Sequence, residues 1–129
     1  MKLQDMRLPA SIAIHDRSLT ITTSKAARHA LSQRHAPLRV EMELYFSCLI
    51  RKQVRFHETL ADEAVRVNDQ LQVSFRPVMT RACGKDYDGD EPPLTDFPIV
   101  NARAYVPRWL HIDYVHGQWQ GEFGYEKQP

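Results

Sequence analysis

Leu38-Arg39-Val40-Glu41-Met42-Glu43-Leu44-Tyr45-Phe46 alternates apolar and polar residues without a break. Successive side chains of an extended chain point to opposite faces, so this stretch predicts a strand with Leu38, Val40, Met42, Leu44 and Phe46 on one face. Downstream, Val54 and Phe56 alternate with Arg55 and His57, and Val65-Arg66-Val67 meets Leu71, Val73 and Phe75 across Asn68-Asp69-Gln70. Those segments predict further strands, connected as a meander. Upstream, Ala26, Ala27, Ala30 and Leu31 line one helical face, with Arg28, Gln33 and Arg34 opposite. Thr22, Thr23 or Ser24 supplies the N-cap hydroxyl, and Pro37 forbids continuation, which places one main helix at about residues 24–35. Before it, Ile12, Ile14, Leu19 and Ile21 surround Asp16-Arg17-Ser18, as two short strands or one strand and a turn.

Near the C-terminal side, Leu110, Ile112 and Tyr114 are followed by His116-Gly117-Gln118 and then by Trp119, Gly121, Phe123 and Tyr125, which predicts a closing hairpin. Between Thr80 and Pro98 the alternation is lost among Gly84, Gly89, Pro92, Pro93 and Pro98, predicting a long exposed loop over about residues 80–98. The fold class that follows is α+β and β-rich.

The 129 residues match one domain, and a composition of 43% hydrophobic and 26% charged residues fits a packed core. Seventeen Lys and Arg against sixteen Asp and Glu leave a formal charge of +1, so neither nucleic acid nor a membrane is expected as partner. Asp5, Arg7 and Pro9 interrupt any signal-peptide core, and Leu44 to Ile50 falls well short of the ~18 apolar residues of a membrane span. A cytoplasmic location with free thiols at Cys48 and Cys83 is the expectation.

Motifs for chemistry are few. Asp86, Asp88 and Asp90 have the spacing that opens a calcium loop, yet Glu91 takes the glycine position, Pro92 follows, and Phe97 stands where a bidentate Glu belongs. A solvated acidic turn is the simpler reading. Cys48, Cys83 and the histidines are the soft donors, without a Cys-x-x-Cys or a helical His pair to assemble them. His57 belongs to the polar side of its strand, while His29 and His35 belong to the helix and its end. The stripe of Trp119, Phe123 and Tyr125 is better used in a core than in stacking bases. Neither a phosphate-binding glycine loop nor a nucleophile elbow occurs, and no enzymatic activity is expected.

Three ordered segments resemble the HesB-like family of A-type iron-sulfur cluster carriers. Leu19-Thr20-Ile21-Thr22-Thr23-Ser24-Lys25-Ala26-Ala27-Arg28-His29-Ala30-Leu31 is similar to the family's opening strand, capped turn and Ala-rich helix. Leu38 through Cys48 to Val54-Arg55-Phe56 is similar to its strand, first cysteine and return strand. Ile112-Asp113-Tyr114-Val115 with Gly121-Glu122-Phe123-Gly124-Tyr125-Glu126 resembles its last two strands. The resemblance implies a mixed β sandwich with one helix, and it puts Cys48 at a ligand position for iron or an iron-sulfur cluster. Where the family carries a Cys-x-Cys pair after the last strand, this sequence reads Lys127-Gln128-Pro129. Cys83, in a segment the family lacks, is the candidate second donor, and a homodimer or another donor type would complete the set. The expected role is a HesB-like protein of iron-sulfur cluster assembly, with a second copy or assembly proteins as partners. The alternative is a structural or protein-interaction module that keeps the fold without a cluster and docks through the Thr80 to Pro98 loop and exposed aromatics.

Overall fold

The structure, a computed structural model, describes residues 10–46, 50–80, 94–96 and 102–126. In chain order these form β1 (Ala10–Ile14), β2 (Arg17–Thr23), α1 (Lys25–Ser32), β3 (Leu38–Phe46), β4 (Ile50–His57), β5 (Val65–Asn68), β6 (Leu71–Thr80), β7 (Leu94–Asp96), a 3-10 turn (Ala102–Tyr105), β8 (Trp109–Val115) and β9 (Gln118–Gly124). Two mixed sheets result, one ordered β1-β2-β8-β9 and the other β4-β3-β6-β5 with β7 also on β6.

The uninterrupted alternation of residues 38–46 becomes the central strand of the second sheet. β3 pairs antiparallel with β4 and parallel with β6, with Val40 opposite Phe56 on one side and Val73 on the other. In the first sheet β2 runs parallel to β8, and β8 turns into β9. Both inner faces feed one core of Leu19, Ile21, Leu110, Ile112 and Phe123 from the first sheet and Val40, Met42, Leu44, Leu71, Val73 and Phe75 from the second. Phe75 meets Phe123 edge to face, with centroids 6.5 Å apart. Helix α1 adds Ala27 and Leu31 to this core. Its start is fixed by Ser24, whose Oγ accepts from Ala27 N at 3.1 Å and donates to Asp113 Oδ1 at 2.6 Å. One hydroxyl therefore caps the helix and ties it to β8.

Two-residue turns close both hairpins of the first sheet, with positive φ at His15 and Asp16 and again at His116 and Gly117. Of the two readings for the opening segment, two strands and a tight turn are observed. The stripe of Trp119 and Phe123 packs inward: Trp119 lies against Phe56 and Tyr114, and Phe123 is buried.

Two expectations are corrected. The segment from 54 to 75 is not a meander, because β6 inserts beside β3, leaving β4 and β5 with two strands between them. Parallel pairing lets Leu71, Val73 and Phe75 bury against the centre of the sheet, which an edge position would not. The 80–98 segment is not wholly loop, since β6 continues to Thr80 and Leu94–Asp96 pairs with it as β7. Pro77 is accommodated because β5 pairs with β6 only up to Val73 and β7 only from Val78, so among the described residues the stretch between has a neighbour on one side alone.

Candidate functional site

Residues 81–93, which contain Cys83 and the Asp86, Asp88 and Asp90 turn, and residues 47–49, which contain Cys48, lie outside the described residues. The strands that lead into them are described. β3 and β6 run in parallel as neighbours, with Phe46 opposite Met79, so the chain leaves both strands at the same end of the sheet. β9 also finishes there: Gly121 lies on Val54 and Phe56, and two residues later Phe123 O accepts from Lys52 Nζ at 2.9 Å. A Cβ on Gly121 would stand 2.8 Å from Val54 Cγ1, so the sheets approach closely at that point because the residue is glycine. Around the same end Tyr105 meets Phe46 edge to face at 5.3 Å, and Ile50, paired with Phe46, is 68% exposed.

The second functional feature was hidden in the polar half of the alternation. Arg39, Glu41, Glu43 and Tyr45 project from the outer face of β3, where β4 contributes Arg51, Gln53, Arg55 and His57 and β6 contributes Gln72, Ser74 and Arg76. Central placement buries the acids: Glu43 is 1% exposed and Glu41 8%. Each is compensated, as a buried carboxylate must be. Glu43 Oε1 accepts from Arg55 Nε at 2.7 Å and from Tyr45 O–H at 3.3 Å, and Arg76 Nη1 stands 3.7 Å from Glu43 Oε2. Glu43's hydrogen bond holds the Arg55 guanidinium above its ordinary range. Arg55 Nη2 also donates to Tyr45 at 2.7 Å, and Arg51 lies over the Tyr45 ring at 5.3 Å.

Glu41 Oε1 pairs with His57 Nε2 at 3.0 Å, while its Oε2 stands 3.7 Å from Arg39 Nη1 and 4.0 Å from Arg76 Nη1. Residues 58–64 cross the outer face beside these groups. Thr59 O accepts from Arg39 Nε at 3.0 Å, and Ala61 N donates to Gln72 Oε1 at 3.3 Å. A cleft of about 560 Å³ is lined by the outer-face Arg39, Glu41, His57, Ser74 and Arg76, by Glu63, and by His15, Ile14, Val65, Val73 and Phe75. Ser74 is 6% exposed and its Oγ has no hydrogen-bond partner among the described residues. Its register partner on β3 is Glu41, whose Oε1 pairs with His57.

A third group decorates the outer face of the first sheet, where Thr22 Oγ1 and His111 Nδ1 are 2.7 Å apart. Asp113 is held below the usual aspartate range by the Ser24 hydroxyl first and the Tyr114 N–H second. No three His, Cys, Asp or Glu side chains among the described residues are grouped to hold a metal ion. No helix among them is long and apolar enough to cross a membrane. No family model, curated protein or solved structure matches the chain.

Proposed function

We propose that this protein is a non-catalytic, cytoplasmic member of the HesB-like architecture that handles iron or an iron-sulfur cluster as cargo, through Cys48 and Cys83, within cluster assembly. The observation that carries the reading is the register of β3 with β6: Phe46 and Met79 are neighbours, so the segments holding the two cysteines start from adjacent strand ends. Thiolates are the donors iron clusters use, and two per chain fall short of the four that [2Fe–2S] and [4Fe–4S] clusters take. Two copies joined at this end supply four. The exposed Ile50 and the Phe46–Tyr105 pair give such a homodimer an apolar surface beside the cysteine-bearing segments.

Anaerobic reconstitution of the full chain with ferrous iron and sulfide tests this, read by visible absorbance, bound iron and molar mass in solution. The expected result is a coloured dimer whose chromophore is lost in Cys48→Ala and strongly reduced in Cys83→Ala. A colourless, iron-free protein that remains folded overturns it. The second reading, a protein-interaction module without cargo, draws on the same apolar end. It expects association that is unchanged by Cys48→Ala and abolished by Ile50→Ser.

A further inference from the structure

No further inference is drawn: the strongest candidate, the polar outer face of the first sheet around His111, Asp113, Gln120 and Glu122, is an open side-chain cluster, and nothing among the described residues shows what covers it.

Discussion

Replacing Arg55 with Met tests whether the buried charge grid behind β3 is held together by compensation. Glu43 is 1% exposed and takes its shortest hydrogen bond, 2.7 Å, from Arg55 Nε. Removing one member of a fully buried pair costs about 3–5 kcal/mol because the other charge is stranded. Here Glu43 keeps Tyr45 O–H at 3.3 Å and Arg76 at 3.7 Å, and the Arg55 side chain is itself 27% exposed. The cost should therefore fall to about 2 kcal/mol, near 8 °C in Tm for a domain of this size. Urea unfolding followed by tryptophan fluorescence measures it. The double variant Glu43→Gln with Arg55→Met removes the stranded charge and should recover at least half of the loss. A single variant that loses under about 0.5 kcal/mol, or a double variant no more stable than the single, would refute the compensation reasoning.

Two further outcomes follow from the packing. Tyr125 is pushed up to about 12 by burial, and its hydroxyl has no partner among the described residues. The folded state thus favours the neutral phenol, full stability is present below pH ~10, and it is lost as pH rises toward 12. Tyr125→Phe should be neutral or slightly stabilising at pH 7 and should flatten that alkaline loss in a pH series of urea melts. Gly121→Val drives a side chain into Val54 and Phe56 where even a Cβ stands at 2.8 Å, and should cost about 1–3 kcal/mol by overpacking. Shortening Val54 to Ala in the same chain should return part of it, measured by thermal unfolding.

The elements were legible where one periodicity ran long enough to outlast local exceptions. Residues 38–46 and the hairpin from Leu110 to Phe123 are such cases, whereas the helix closes at Ser32, short of the limit near residue 35 that Pro37 sets. Strand order was not legible. A meander and a parallel insertion of β6 bury the same apolar residues, and only the whole sheet decides between them. β7 escaped notice because three residues cannot display a period. The charge grid was missed for a related reason: alternation marks Glu41 and Glu43 only as polar, and their burial follows from β3 being flanked on both sides. The signal available was the opposite charge on Arg51, Arg55 and Arg76, since acids on one strand and arginines on its neighbours pair across a sheet. Ser74 carries no sequence signal, because an unpartnered hydroxyl is a property of its surroundings.

The parallel pairing of β2 with β8 also governs how the chain can be made. Thr22 and His111, joined at 2.7 Å, are 89 residues apart, so among the described strands β2 has only β1 beside it until β8 has been synthesised. At ~5–20 residues per second of synthesis that wait is roughly 4 to 18 s. During it the β1–β2 hairpin presents an open backbone edge with Leu19 and Ile21 uncovered, the condition under which nascent chains recruit chaperones or stick to one another. Overproduction should therefore strain this protein at the ribosome before any weakness appears in the finished fold.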